Sequence, residues 1–249
     1  MPRKTGAELV ALALEAEKVP FAFGIPGAQN LELYDALDRS PSVRAVLVTD
    51  EQCASFMADG VSRSSEQLGC VNLVPGAGLT HALSGIAEAF MDGTPLLILA
   101  CGVRSDSGKS FQLHDVAQLE IARPVTKAQF RVTDGATLYN LVRHACRVAR
   151  SAPCGPVIVE IPAELYVFRH EADRAVEQVA VQAAREPILS DLTSAVERIE
   201  KCRRPLLYLG LGASGLGNDA VELAERLQSP VATTVQGKGV FPETHPLWV

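Results

Sequence analysis

Short apolar runs alternate along the chain with longer stretches whose apolar residues recur at helical spacing. The runs that fit strands are VPFAF (19–23), RAVLV (44–48), GCVNLV (69–74), PLLILAC (95–101) and PVIVEIP (156–162). Strands separated by a helix form βαβ units, in which the strands lie parallel and each helix crosses one face of the sheet. The alternation therefore predicts an α/β fold: a doubly wound, mostly parallel sheet with helices on both faces.

The same pattern divides the chain into three parts. Residues 1–165 contain all five of those runs, and residues 166–189 have mixed charge with no strand signal, which predicts a linker. The pattern restarts in residues 190–249 with PLLYLGL (205–211) and PVATT (230–234). Two strands and two helices bury too little apolar surface to complete a doubly wound core, so we expect a truncated second α/β domain.

Local signals add detail to the first part. Thr5 and Glu8 have the spacing of a capping box, and Asn30 is placed to cap a second helix. One face of the helix predicted after Asp50 carries Cys53, Ala54, Met57, Ala58 and Val61, so this face is expected to be buried. Between PLLILAC and the helix that begins near Asp134, the sequence predicts a long loop.

Composition and charge disfavour several classes of protein. The chain has 249 residues, 47% of them apolar, and a formal charge of -6 without a basic block that could follow a nucleic-acid backbone. Its longest apolar run, PLLILACGV, is far shorter than the roughly 20 residues of a membrane helix, and acidic residues interrupt the start of the chain where a signal peptide would be apolar. The six cysteines form no C-x-x-C pair and, except Cys154, lie in apolar segments typical of reduced core cysteines. These features predict a cytoplasmic protein with no nucleic-acid or membrane partner.

Three turns follow three of the predicted parallel strands, and we expect them to meet at one edge of the sheet. They are GIPG (24–27), the segment around Glu51, and PGAG (75–78). Open α/β sheets bind ligands at the carboxyl ends of their strands. Glu51 has two interpretations: a carboxylate presented to a ligand, or a charge that complements the positive end of a helix dipole.

The segment Gly210-Leu-Gly-Ala-Ser-Gly215 has the form of a dinucleotide fingerprint. That fingerprint also requires an acidic residue at the end of the next strand, and here the strand ends ATTVQ. A nucleotide-dependent oxidoreductase therefore remains an alternative function. The five histidines show no metal-ligand spacing, so no metal site is predicted within the chain.

Several ordered segments resemble the thiamine diphosphate enzymes of the acetolactate synthase type. In their aminopyrimidine-binding domain the similar segments are FGIPGAQNLELYDAL, DEQCASFMADGVSR, HALSGIAEAFMDGTPLLIL, FQ (111–112), RPVTK (123–127) and GPVIVEIP; in the first half of their central domain they are RPLLYLGLGAS and VATTVQGKGVFPETHPL. The resemblance covers essentially the whole chain. It implies the N-terminal part of a large, catalytic subunit that decarboxylates a 2-oxo acid such as pyruvate and transfers the aldehyde unit to a second carbonyl.

The resemblance also implies residue roles. Glu51 would be the catalytic residue, hydrogen-bonded to a ring nitrogen of the aminopyrimidine, because a carboxylate shielded from water shares its proton more strongly than one in water. The cofactor pocket would contain Gly24, Pro26, Gly27, Glu51, Gly76, Gly78 and His81. The substrate pocket would contain Phe111, Gln112 and Lys127, and the candidate flavin region Gly210, Gly212, Thr233 and Thr234.

The chain departs from the family pattern in ways that bear on its cofactors and partners. Pro153 stands where the flavin-containing synthases have a flavin-contacting arginine, which leaves FAD binding open. The G-D-G motif that anchors the diphosphate through Mg²⁺ does not occur, so Mg²⁺ is expected to be held by a domain absent from this chain. The family's active site lies between subunits, which implies a homodimer or tetramer. A non-catalytic partner fragment is a further alternative.

Overall fold

The computed structural model describes residues 3–109, 111–171 and 189–249, without the side chains of residues 189–191. The chain divides into two compact units, residues 1–184 and 185–249. Each unit is described by itself. No helix among the described residues is both long enough and apolar enough to cross a membrane.

The first unit contains eight strands and seven α-helices within its described residues. The strands are β1 (Lys4–Thr5), β2 (Phe21–Gly24), β3 (Arg44–Leu47), β4 (Gly69–Leu73), β5 (Leu96–Gly102), β6 (Ala128–Arg131), β7 (Pro156–Pro162) and β8 (Arg169–His170). The helices are α1 (Gly6–Ala16), α2 (Leu31–Asp38), α3 (Glu51–Ser64), α4 (Ala77–Met91), α5 (Gln118–Ala122), α6 (Leu138–Arg150) and α7 (Ala163–Val167). Two 3₁₀ turns cover Arg123–Val125 and Gly135–Thr137.

Six of these strands form one parallel sheet in the order β3-β2-β4-β5-β7-β6. The chain passes from β2 outward to β3, and then returns to add β4 on the other side of β2. The strand order therefore reverses between β2 and β4. In open α/β sheets such a reversal leaves a crevice at the carboxyl ends of the two strands, where ligands bind.

Helices cover both faces of the sheet, and β5 shows why its sequence is apolar throughout. Leu97 and Leu99 belong to one hydrophobic cluster, together with buried residues of α1, α2 and α6. Leu96 and Ile98 belong to a second cluster, together with buried residues of α3 and α4. Because successive side chains point to opposite faces, a strand covered on both sides has no polar face. The predicted doubly wound α/β fold is confirmed.

The predicted capping box at the start of α1 is present. The Thr5 hydroxyl accepts a hydrogen bond from Glu8 N, and the Glu8 carboxylate accepts one from Thr5 N at 2.8 Å. The hydrogen bond from the Thr5 amide lowers the pKa of Glu8. Asn30, by contrast, makes no side-chain cap to α2. Its Oδ1 instead accepts from Gly27 N at 2.7 Å, which fixes the turn after β2.

The region predicted as a long loop contains a strand that sequence analysis missed. β6 lies at the edge of the sheet, where only one side pairs with a neighbour. Its sequence, AQFR, includes Gln129 and Arg131 and has neither the apolar run nor the β-branched residues that mark the central strands. The edge position explains why polar residues are tolerated there.

The first unit also extends beyond the predicted boundary at residue 165. β8 pairs antiparallel with β1, and Phe168 O accepts a hydrogen bond from Gly6 N. The predicted start of the linker at residue 166 is therefore too early. Most of the predicted linker, residues 172–188, lies outside the described residues.

The buried face of α3 includes the predicted Ala54 and Ala58 but not Cys53 or Met57. Cys53 and Met57 are exposed, whereas the buried side of the helix consists of Ala54, Ser55, Ala58 and Asp59. Small residues are needed there because α4 approaches closely: a Cβ added to Gly85 would lie 2.4 Å from Ser55 Oγ. All six cysteines are free, and Cys53 and Cys202 are exposed, which corrects the expectation that both lie in the core.

The second unit contains α8 (Leu189–Glu200), β9 (Leu207–Leu209), α9 (Gly217–Leu227) and β10 (Val231–Thr233). β9 and β10 pair in parallel. The buried core of this unit is small, with Ala220, Ala224, Val231 and Phe241. Several large apolar residues are exposed, among them Leu206 at 58% and Tyr208 at 66%. These features agree with the prediction of two strands and an incomplete core among the described residues.

The close contact between α3 and α4 can be tested with a matched pair of helical glycines. In Gly85→Ala the new methyl group collides with Ser55 Oγ and lies 2.9 Å from Phe56 N, so we expect a loss of about 1–3 kcal/mol in the free energy of unfolding. Gly60 is also helical, but a Cβ there meets nothing within 4 Å. Gly60→Ala should therefore gain about 0.5–1 kcal/mol. Urea unfolding of both variants measures the difference; equal effects would contradict the described crossing.

Candidate functional site

The turns after β2, β3 and β4 meet at the carboxyl edge of the sheet, as the sequence predicts for parallel strands. Glu51 is the first residue of α3, and Asp50 caps this helix by accepting a hydrogen bond from Gln52 N at 2.8 Å. The cap fixes the direction of the helix, and Glu51 then lies in its first turn, near the positive end of the helix dipole. The Glu51 side chain is only 12% exposed.

Gly27 and Gly78, which follow β2 and β4, both pack against Val74, and Gly78 also packs against the Glu51 carboxylate. A Cβ on Gly78 would lie 3.3 Å from Glu51 Oε1 and 2.7 Å from Val74 Cγ2. A Cβ on Gly27 would lie 2.5 Å from Val74 Cγ1. Gly27 and Gly78 thus contact the same valine from the two sides of the crevice. Any side chain at either position would displace Val74 or occupy the space next to the carboxylate.

Gly76 takes a backbone conformation that favours glycine. Its φ is +66°, and a Cβ there would lie 2.8 Å from His114 O. Pro26 is exposed in the turn after β2 and sits between Gly24 and Gly27. These positions place all the predicted cofactor-pocket glycines at the same edge as Glu51.

Two polar residues behind the turn after β2, Asn72 and Tyr34, were not singled out from the sequence. Asn72 is fully buried in β4, and its Oδ1 accepts from Asn30 Nδ2 at 3.5 Å. A Cβ on Gly24 would lie 2.0 Å from Asn72 O and 2.7 Å from the Tyr34 hydroxyl, whose pKa is raised by burial. The signal in the sequence is a single asparagine inside the otherwise apolar strand GCVNLV, because a buried amide requires partners.

His81 lies beside Glu51, as the resemblance implies. Its Nδ1 is 3.7 Å from Glu51 Oε2, and its side chain is 63% exposed. This distance is too long for a hydrogen bond, and no side chain or amide in the described part of the chain makes a hydrogen bond to the Glu51 carboxylate. Within that same part, Asp50, Glu51 and His81 form a group whose donor atoms lie within 4.8 Å of one another. The carboxylate is therefore recessed and free to accept a hydrogen bond from a ligand.

Phe111 and Gln112 line a cleft at the same edge of the sheet. The cleft has a volume of about 390 Å³ and is formed by residues that follow β2, β5 and β7, including Gln29, Arg104 and Ala163. Gln112 Nε2 donates to Arg104 O at 2.7 Å, whereas Phe111 is 92% exposed. A polar amide and an exposed ring beside a cleft are consistent with the substrate-facing loop implied by the resemblance.

Lys127 is not brought together with these residues. Its amide donates to Pro156 O at the start of β7, which is the opposite edge of a parallel sheet from Glu51. Its ammonium donates to Val148 O at 2.6 Å and to Ser151 O and Oγ, so that it caps the C-terminal end of α6. Partial burial lowers the pKa of Lys127. The chain thus gives Lys127 a structural partner instead of a place in the Glu51 site.

The candidate flavin residues lie at the carboxyl ends of β9 and β10. Thr234 N donates to Leu209 O, and Thr234 Oγ1 accepts from Gly237 N at 2.9 Å. A Cβ on Gly210 would lie 3.8 Å from the Thr234 side chain, whereas one on Gly212 would meet nothing within 4 Å. Thr233 is the last residue of β10, so that strand ends without the acidic residue that a dinucleotide fingerprint requires.

The fold and this edge of the sheet define a cofactor-binding domain of the thiamine pyrophosphate enzymes. The family model for their N-terminal TPP binding domain matches residues 4–121, and the model for their central domain matches residues 192–249. The chain therefore belongs to the thiamine pyrophosphate enzymes, and corresponds to the N-terminal part of an acetolactate synthase-like large subunit.

Curated relatives support the same relationship. The chain is 31% identical to the acetolactate synthase large subunit of Haemophilus influenzae and 33% identical to the acetolactate synthase isozyme 1 large subunit of Escherichia coli; both alignments cover 98% of this chain and 44% of the relative. It is 32% identical to the probable acetolactate synthase large subunit of Methanocaldococcus jannaschii, over 97% of this chain and 42% of the relative. The chain thus spans less than half the length of these relatives.

The residues at the crevice fit the aminopyrimidine end of thiamine diphosphate. This ring is flat and carries nitrogen atoms that form hydrogen bonds along its edge. Glu51 offers a recessed carboxylate oxygen for such an edge, and Gly78 places no side chain next to that oxygen. The chain supplies no G-D-G motif for the diphosphate end.

The role of Gly78 can be tested by adding and then relieving the steric conflict. In the complete natural polypeptide that carries this chain, Gly78→Ala should weaken binding of thiamine diphosphate at least about tenfold, a cost of about 1.4 kcal/mol, because its methyl group collides with Val74 and approaches Glu51. The double variant Gly78→Ala/Val74→Ala removes the valine methyl groups and should recover part of the affinity. Fluorescence titration with the cofactor measures both effects; no recovery would show that Val74 does not mediate the conflict.

The structural role of Lys127 gives an opposite expectation. Lys127→Met removes three hydrogen bonds at the end of α6, so we expect a loss of about 1–3 kcal/mol in unfolding free energy. Affinity for thiamine diphosphate should remain unchanged. The exposed Lys18, substituted as Lys18→Met, is the control for general loss of charge. A selective loss of turnover in Lys127→Met at unchanged stability would contradict the structural assignment.

Proposed function

We propose that this chain forms the aminopyrimidine-binding half of a thiamine diphosphate-dependent carboligase or decarboxylase resembling acetolactate synthase. The substrate would be a 2-oxo acid such as pyruvate, which loses carbon dioxide before its aldehyde unit is transferred to a second carbonyl. One observation carries the proposal: Glu51 is 12% exposed at the carboxyl edge of the sheet, with Gly78 packed against its carboxylate and no hydrogen bond to it from the described residues. The family match supports the cofactor.

Glu51 would bind and activate the cofactor through a proton shared with a ring nitrogen. Bound thiamine diphosphate supplies a thiazolium carbon that, once deprotonated, adds to the keto group of the substrate. The carboxylate can hold the proton at the ring nitrogen because little water competes for it and Asp50 orients the helix that carries it. His81, at 3.7 Å, can exchange a proton with the same carboxylate after a small side-chain movement.

The substrate would occupy the cleft beside Phe111 and Gln112. Gln112 is held by its hydrogen bond to Arg104 O, which leaves its Oε1 available as an acceptor, and the Phe111 ring can shield a reacting group from water. This cleft and the Glu51 crevice are both formed by residues at the carboxyl ends of the strands. A substrate in the cleft would therefore lie at the same edge of the sheet as the proposed cofactor.

The remaining features of the proposal concern parts outside the described site. Mg²⁺ and the diphosphate would be held by a G-D-G segment outside this chain, and the active site would be completed in a homodimer or tetramer. FAD binding near Gly210, Gly212, Thr233 and Thr234 is left open, and the yellow absorbance of a bound flavin in the purified complete protein decides it. The proposed compartment is the cytoplasm, in agreement with six free cysteines. The proposed pathway is branched-chain amino acid biosynthesis.

The proposal can be tested by replacing Glu51 with its neutral isostere. In the complete polypeptide, Glu51→Gln should slow the release of carbon dioxide from pyruvate by about 10²–10⁴-fold, because the ring nitrogen loses its proton partner. Exchange of the thiazolium proton of bound cofactor with D₂O, followed by NMR, should slow by a similar factor. Glu88→Gln, an exposed residue of α4, is the matched control. Undiminished exchange and turnover in Glu51→Gln would overturn the proposal.

A further inference from the structure

The backbone amide of Gly76 is held by a buried glutamine from a different part of the chain. Gly76 N donates to Gln118 Oε1 at 3.3 Å, and Gln118 Nε2 donates to Cys101 O at 2.9 Å. The Gln118 residue is 3% exposed. One amide side chain thus connects the turn after β4 to the carboxyl end of β5. Glutamine suits this position because it provides one acceptor and one donor from the same planar group.

Cys101 extends the connection to the other turn of the crevice. Its thiol donates to Gln29 O, in the segment between β2 and α2. Burial raises the pKa of this thiol, so it keeps its proton at neutral pH and can act as a donor. The turn after β2 and the turn after β4 are therefore both attached to β5, one through Cys101 and the other through Gln118.

Gln118 is the first residue of α5 and directly follows the segment that carries the candidate substrate residues. Residues 103–117, here called the cleft segment, connect β5 to α5 and include Phe111 and Gln112. His114 of this segment has a φ of +69°, and its carbonyl oxygen occupies the place where a side chain on Gly76 would begin. The cleft segment and the glycine turn are thus in direct contact at His114 and are joined by hydrogen bonds at Gln118.

We propose that Gln118 is a positioning residue that couples the cleft segment to the cofactor turn at Pro75–Gly78. Its hydrogen bond to Gly76 fixes the turn that places Gly78 beside Glu51, while its own position is set by the end of the cleft segment. A movement of the cleft segment around a substrate would therefore change the position of the cofactor turn. The role in cofactor binding rests on the proposed function, whereas the coupling of the two segments does not.

The coupling can be measured without any cofactor. Gln118→Met removes both hydrogen bonds at similar side-chain volume and leaves the Gly76 amide buried without a partner. In the cofactor-free complete protein, we expect hydrogen–deuterium exchange of peptides covering residues 74–79 to rise at least about tenfold, which corresponds to about 1.4 kcal/mol of lost local stability. Unchanged exchange in peptides covering β5 shows that the variant is folded. Unchanged exchange at residues 74–79 would overturn the proposal.

Gln129 offers a matched control on the other side of α5. Its Nε2 donates to Leu119 O at 2.7 Å and to Thr126 Oγ1 at 3.0 Å, so Gln129→Met also removes two hydrogen bonds near α5. Neither of these hydrogen bonds involves the glycine turn at residues 75–78. Gln129→Met should leave exchange at residues 74–79 unchanged. An equal rise in both variants would assign the effect to general loosening of α5 and overturn the specific role of Gln118.

The functional part is tested by steady-state kinetics of the complete enzyme. Gln118→Met should raise the concentration of thiamine diphosphate needed for half-maximal activity at least about tenfold, with a smaller change in kcat at saturating cofactor. Gln129→Met should change neither. Equal cofactor requirements in both variants would overturn the positioning role. If the unsubstituted protein binds no thiamine diphosphate, the proposed function fails, and the exchange experiment still reports whether Gln118 couples the two segments.

Discussion

The reversal of strand order between β2 and β4 is the constraint on which the rest of the first unit depends. β2 pairs with β3 on one side and with β4 on the other, so the connections above β2 and β4 leave the sheet in opposite directions. A crevice then opens between them at the carboxyl edge. The Glu51 carboxylate and the two glycine turns lie at this edge because parallel pairing brings the ends of successive strands together.

Close packing of α3 and α4 fixes the relative positions of the residues around this crevice. α3 and α4 approach each other closely through Ser55 and Gly85, which fixes the first turn of α3 relative to the turn that precedes α4. Val74 then contacts both Gly27 and Gly78, and the Glu51 carboxylate lies beside Gly78 and His81. The same small residues that allow the helices to pack therefore also determine the position of the carboxylate.

β4, β5 and β7 could be predicted because burial on both faces makes them almost continuously apolar. β6 could not, because an edge strand tolerates polar residues and gives only a weak signal. The buried face of α3 was predicted correctly at Ala54 and Ala58 and wrongly at Cys53 and Met57, because the close approach of α4 favours small residues over large apolar ones. The position of Asn30 near a helix start suggested a cap, yet its amide instead holds the turn through Gly27.

The sequence by itself determined the alternation of strands and helices, the cap of α1 and the placement of Glu51 at the start of a helix, since these depend on residues close together in the chain. Only the tertiary structure decided which turns became neighbours. It placed Lys127 at the edge opposite to Glu51, and it joined Gly76, Cys101 and Gln118 through one buried amide. The physical reason is that strand order and helix packing arise from contacts between residues far apart in the chain, which no local pattern of apolar and polar residues specifies.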